Sequence, residues 1–132
     1  MNFIFYDSNG TITRSGMVSE NGRNLIDVLP GETILEVSEP LGDTERYKVV
    51  DGAVVSKSDS ELQTIDDADL AKLIKKDRDN ELFLTDWTQL PGGPLTDSKK
   101  AEWATYRQTL RDLPTNSNWP NLQEGDWPAE PS

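Results

Sequence analysis

Along the first part of the chain, apolar and β-branched residues come in short runs closed by turn residues. Phe3-Ile4-Phe5-Tyr6 leads into Asp7-Ser8-Asn9-Gly10, a turn signal of the hairpin kind. Thr11 to Val18 is a second β-prone run, interrupted by Gly16, which points to a bulge or a close backbone approach. Thr33-Ile34-Leu35-Glu36-Val37 is a third, entered after Pro30-Gly31 and stopped at Pro40. Tyr47-Lys48-Val49-Val50 and Ala53-Val54-Val55 flank Asp51-Gly52, the strongest short hairpin signal in the chain. Ser19 to Leu29 has a turn at Asn21-Gly22 and no other assignable element. These runs predict a small antiparallel β module over residues 1–56.

Residues 57–69 are polar and acidic and read as a linker, its acidic end suited to the start of a helix. From Leu70 the period becomes helical: Leu70, Leu73 and Ile74 share a side, with Leu84 further along it. This helix is expected to end near Thr85–Trp87, before Pro91-Gly92-Gly93-Pro94. A second helix is expected from Asp97 to about Asp112, with Thr96 as N-cap and Pro114 as the stop. Trp103, Tyr106 and Leu110 lie on one of its faces. Residues 70–114 thus predict an αα-hairpin, and residues 115–132 an extended, mobile tail with two Trp-Pro pairs. The expected fold class is α+β.

Composition narrows the function. A chain of 132 residues with 34% hydrophobic residues is one ordinary domain or two small modules. The absence of His and Cys excludes the usual zinc sites, a thiol nucleophile, a Ser-His-Asp triad and a disulfide scaffold. The formal charge of −11 argues against binding nucleic acid. No signal peptide or membrane-spanning run is evident, so a cytoplasmic, soluble protein is expected. Asp77/Glu81 and Asp66/Asp69 have helical spacing but sit in a charged run, where ion pairing is the ordinary explanation. Asp77-x-Asp79 starts like a calcium loop, but Glu81 and Leu82 break it and Thr88 takes the twelfth place. Phosphate-binding glycine loops are missing. No enzymatic activity, cofactor or metal is expected.

All four tryptophans fall in the last 46 residues. Trp103 reads as core and Trp87 as a cap on the same core. Trp119 and Trp127 have two readings: the tail folds back over the helices, or it docks on a partner. Arg107 suits either a partner carboxylate or an acid on the first helix, whereas Arg111 suits its neighbour Asp112.

The C-terminal motifs carry a resemblance. Arg78-Asp79-x-x-Leu82, Thr85-Asp86-Trp87-Thr88-Gln89-Leu90 and Pro94-Leu95 resemble the first half of the phage tail assembly chaperone domain. Trp103-Ala104-x-Tyr106-Arg107-Gln108-x-Leu110-Arg111-Asp112-Leu113-Pro114 and the Trp-Pro tail are similar to its second half. The likeness covers roughly residues 72–128. It departs where Lys75 stands loosely for a basic residue before Arg78 and where Trp119 replaces a Phe. It implies a non-enzymatic assembly chaperone or accessory protein that binds a phage tail-fibre or baseplate protein, in the host cytoplasm. The alternative it leaves is a structural subunit kept in the virion tail as a cap or connector, with self-association as a further contact. On this reading the partner-binding residues are Trp87, Trp103, Tyr106, Arg107, Leu110, Trp119 and Trp127.

Overall fold

Five strands form as the alternation predicts: β1 (Asn2–Tyr6), β2 (Ile12–Met17), β3 (Thr33–Val37), β4 (Tyr47–Val50) and β5 (Ala53–Ser56). The computed structural model describes all residues, Met1–Ser132, as α+β, in two units, Met1–Leu62 and Gln63–Ser132. In the first unit β1 lies between β2 and β3, antiparallel to both. Its continuous apolar run follows from that central place, since both faces are covered: Ile4 is 0% and Phe5 1% exposed. The β4–β5 hairpin turns on Asp51 and Gly52, both at positive φ as a two-residue turn of this hand requires. The two sheets are spliced at Gly10, whose carbonyl accepts the Val49 N–H at 2.8 Å. A Cβ at Gly10 would lie 2.1 Å from the Val49 carbonyl oxygen, so only glycine fits there.

Arg14 ties the loop before β3 to this sheet. Its guanidinium lies 3.6 Å from the centre of the Phe5 ring, meets Glu32 at 2.7 Å and donates to the Asp27 carbonyl at 2.6 Å. Hydrogen bonds from Arg14 and then Thr13 hold the Glu32 carboxyl at about 2. Gly16 marks a close approach rather than a bulge, because a Cβ there would meet the Phe3 ring at 2.8 Å. The bulge lies earlier in the same strand, at Thr13, which is skipped between the Phe5–Arg14 and Tyr6–Ile12 pairs. The unassigned stretch contains a 3-10 helix over Glu20–Leu25.

Residues 59–69 are helical, not a linker: α1 runs from Asp59 to Leu84. The physical reason is a capping box. Ser58 Oγ accepts the Glu61 N–H at 3.2 Å, and Glu61 Oε2 accepts the Ser58 N–H at 2.7 Å. Lys48 adds an ion pair to Glu61 at 3.0 Å. The Ser58 backbone N–H, followed by Lys48, holds the Glu61 carboxyl at about 2. The inner stripe of α1 also differs from the expected one. Leu73 and Leu84 are exposed, and the half-buried stripe includes Leu70, Ile74, Arg78 and Leu82.

The second helix, α2 (Asp97–Arg111), begins as expected, with Thr96 Oγ1 accepting the Lys99 N–H at 3.2 Å. Tyr106, Leu110 and Leu113 form the core of the second unit, and Leu82, Trp103, Trp119, Leu122 and Trp127 pack against it. Residues 115–132 contain neither helix nor strand apart from the end of a 3-10 turn, Leu113–Thr115, yet they are not a free extended tail. They fold back because two tryptophans and Leu122 find apolar cover on α2. Asp126 closes the loop, accepting from Gln123 N–H at 2.8 Å, Asn118 Nδ2 at 2.9 Å and Asn116 Nδ2 at 3.3 Å. Those donors, the Gln123 N–H foremost, lower its carboxyl below the usual range. Asn121 reaches Asp67 on α1 at 3.1 Å.

Two expected outcomes follow. Because the folded Glu32 carboxyl lies near 2 and an unfolded one near 4.5, its stabilisation is complete above pH 4.5 and is lost as pH falls towards 2. In urea unfolding, Glu32→Gln is therefore expected to be less stable than the parent at pH 7, with the gap closing between pH 4.5 and 2. A gap that persists at pH 2 would contradict this linkage. For the second unit, Trp119→Ala with Trp127→Ala is expected to lower the melting temperature of the isolated chain. Because both rings are only partly buried, each loss should stay below about 3 kcal/mol, the low end for a buried aromatic. An unchanged transition would mean the tail contributes nothing to the fold.

Candidate functional site

The last carbonyls of a helix have no partner within it and must find donors elsewhere. At the end of α1 those donors come from the Thr85–Leu90 motif and from α2. Thr85 Oγ1 donates to the Glu81 carbonyl at 2.8 Å. Arg107 Nη1 donates to the Leu82 carbonyl at 2.6 Å and to Thr85 Oγ1 at 2.8 Å, while Nη2 meets Asp86 Oδ1 at 2.6 Å. Thr88 Oγ1 donates back to the Thr85 carbonyl at 2.6 Å. Gln89 Nε2 bridges Thr88 Oγ1 at 3.1 Å and the Lys100 carbonyl on α2 at 3.2 Å. The Tyr106 hydroxyl donates to Glu81 Oε1 at 3.0 Å. Burial, then the hydrogen bond to Glu81, pushes the Tyr106 phenol well above its ordinary value. The motifs therefore form a polar lock between the two helices.

This lock decides where the expected binding residues lie. Leu110 is fully buried, Tyr106 nearly so, and Arg107 is 6% exposed. None of the three presents its side chain to a partner: Leu110 and Tyr106 fill the core, and Arg107 answers to Asp86 and the end of α1. Arg107 thus satisfies the local reading. Trp103 is half-buried, edge-to-face with Tyr106 at 5.6 Å, and Trp119 and Trp127 pack on the same core. Trp87 alone of the seven is largely open, at 46%, with its ring 6.4 Å from that of Trp103.

Around Trp87 the structure adds residues that periodicity did not single out. Phe83 is 73% exposed, Leu84 56% and Leu90 57%. The last turn of α1, the 3-10 turn after it (Asp86–Gln89) and its C-cap Leu90 thus carry four open apolar side chains within eight positions. Phe83 lies one residue beyond Leu82, which packs on the core, and that offset was the available signal. The exposed Asp79 and Asp86 carboxylates lie in the same stretch of chain. Such a surface can dock apolar protein surface, and its acids keep it hydrated when empty.

Arg107→Leu removes the fork and leaves the Leu82 carbonyl only its longer bonds from the Thr85 N–H and Oγ1, both at 3.3 Å. A loss of about 1.5–3 kcal/mol in thermal or urea unfolding is expected, the range for hydrogen bonds to a charged group. Arg107→Lys should recover only part of it, since one ammonium cannot span all three acceptors. Parent-like stability in the leucine variant would show the lock to be incidental.

Residues 71–132 fit the family model described as phage tail assembly chaperone protein. No curated protein and no solved structure matches the chain. The matched region contains the whole lock, its hydrophobic core and the folded-back tail. Over residues 71–132, then, the chain matches the phage tail assembly chaperone family.

Proposed function

We propose that the protein is a non-enzymatic chaperone whose client is the tail-fibre protein, which it holds in the host cytoplasm until the fibre assembles. The observation that carries this reading is the open apolar surface of Phe83, Leu84, Trp87 and Leu90 inside the region that matches the chaperone family. A fibre chain that has not yet trimerised exposes strand edges and apolar seams, which aggregate unless covered. Apolar and aromatic side chains at the end of a locked helical hairpin suit that task, since the backbone that presents them is already ordered. The formal charge of −11 keeps a complex with such a client soluble.

Three of the four carboxyls with a shifted pKa support a binding role rather than acid/base chemistry; the fourth, Glu130, is raised by its hydrogen bond to Glu81. Glu32, Glu61 and Asp126 are each held low by N–H donors or a cation, which makes them poor proton donors near neutral pH. Transient action is favoured over retention in the virion by the tail itself. Its two tryptophans pack within their own unit, so its order requires no permanent partner.

Co-expression with the tail-fibre protein tests the proposal. Phe83→Ser with Trp87→Ser is expected to reduce soluble, co-purifying fibre protein by about tenfold or more, as loss of central aromatic anchors does. The melting temperature of the isolated variant should stay close to the parent's, because both side chains are exposed. Undiminished capture by this variant, or a fibre protein equally soluble without the chaperone, would overturn the reading.

A further inference from the structure

The N-terminal unit, residues 1–62, lies outside the family match, and among its edge strands β3 and β5 are each paired on one side only. The Gly10–Val49 hydrogen bond and the Thr11–Lys48 bridge join the β2 side of one sheet to β4 of the other. The sheets β3-β1-β2 and β4-β5 are thus linked at Gly10 and Thr11, and β3 and β5 lie at the ends away from that link. These ends do not point apart. Leu35, Glu36 and Val37 of β3 and Ala53, Val54 and Ser56 of β5 line one open groove of about 450 Å³.

Register shows which backbone groups face outward at these ends. Met1 and Val18 exchange both hydrogen bonds, at 2.7 and 3.0 Å, so Met1, Phe3 and Phe5 bond towards β2 and Asn2, Ile4 and Tyr6 towards β3. On β3 the partners of those three are Val37, Leu35 and Thr33, which leaves the amides of Ile34 and Glu36 directed away from β1. In the β4–β5 hairpin the turn closes on the Val50–Ala53 pair, so Val54 and Ser56 direct their amides away from β4. The Val49 N–H, bonded to Gly10 instead of β5, agrees with that phase. Edges are usually blunted by lysine, proline or inward charge. Neither β3 nor β5 contains a lysine or proline, and β5 carries no charge at all.

We infer that the groove between β3 and β5 takes an extended segment of a partner protein, with alternating apolar and basic residues, that pairs as an added strand. Main-chain pairing to the outward amides supplies affinity, and alternate side chains supply selectivity. Apolar residues of the segment meet Leu35, Val37, Leu41 and Val54. Basic residues face Glu39 and Glu36, the two charged side chains that line the groove, at Glu36 in competition with its exposed 3.2 Å ion pair to Arg23. The surrounding unit strengthens that preference, with eleven acidic against five basic residues over positions 1–62. This contact is separate from the apolar surface at Trp87 and stands whether or not the client there is the fibre protein.

The test uses the full chain, isotopically labelled, titrated with an eight-residue peptide of alternating valine and lysine. Shift changes and slowed exchange are expected at the amides of Ile34, Glu36, Val54 and Ser56. A valine–glutamate peptide, and a valine–lysine peptide N-methylated at every second residue, should each bind at least about tenfold more weakly. Glu36→Lys with Glu39→Lys, a surface change that preserves both edges, should reverse the preference between the two charged peptides. Equal binding of the methylated peptide, shifts confined to the acidic face of α1, or no shift at all would overturn the inference. So would a dimer of the chain closing the groove in sedimentation, which would make a second copy the occupant.

Discussion

One guanidinium holds the end of α1 against the middle of α2. Arg107 reaches the Leu82 carbonyl, the Thr85 hydroxyl and the Asp86 carboxylate with a single planar fork, at 2.6 to 2.8 Å. A lysine could not satisfy three acceptors so placed, and an apolar side chain would leave the Leu82 carbonyl only the longer bonds from Thr85, both at 3.3 Å. Once that terminus is fixed, Thr88 and Gln89 complete the connection to α2. Tyr106 and Leu110 are brought onto Leu82, and the core they form is what Trp119, Leu122 and Trp127 cover. The most motif-like residues of the chain are thus spent on making a rigid platform.

That division explains how a small, acidic domain can bind without a deep pocket. Side chains within the lock are buried and committed, whereas Phe83, Leu84, Trp87 and Leu90 stand outside it on a backbone the lock makes stiff. Preorganisation lowers the entropy lost on docking, which matters more for a client held briefly than additional contact area would. The first unit uses the same device on a different scaffold. Arg14 stacks on Phe5, pairs with Glu32 and takes the Asp27 carbonyl, so the loop before β3 is fastened to the sheet. There the open surface is backbone rather than aromatic side chain.

Much of the fold was legible in the pattern of residues. Strand positions follow from β-branched runs and turn residues, and Asp51-Gly52 marks its hairpin by the chemistry of positive φ alone. The beginning of α1 was legible too, in Ser58 and Glu61, but their polar neighbours masked it. A capping box has to be read as a spacing, since its composition is that of a loop. The inner face of α1 was harder, because Leu73 and Leu84 are exposed and Arg78 takes a half-buried place. Apolar identity alone could not distinguish a residue facing the core from one offered to a partner. The same ambiguity attached to Tyr106, Arg107 and Leu110, which spacing places on one face without saying what covers it. The tail supplied the missing cover, and a run lacking periodicity gives no sign of where it will pack.

The central claim is that the locked hairpin and the folded-back tail are one cooperative unit in the isolated chain. Native-state amide hydrogen exchange tests it most directly, comparing Trp119, Leu122 and Asp126, whose amides bond at 3.0 Å to Asn116, Pro120 and Gln123, with amides in the middle of α2. The expected result is a common opening free energy for both groups, lowered together when denaturant is added. Tail amides exchanging at unfolded-chain rates while α2 remains protected would contradict it, and would return the two Trp-Pro pairs to the role of a free segment awaiting a partner.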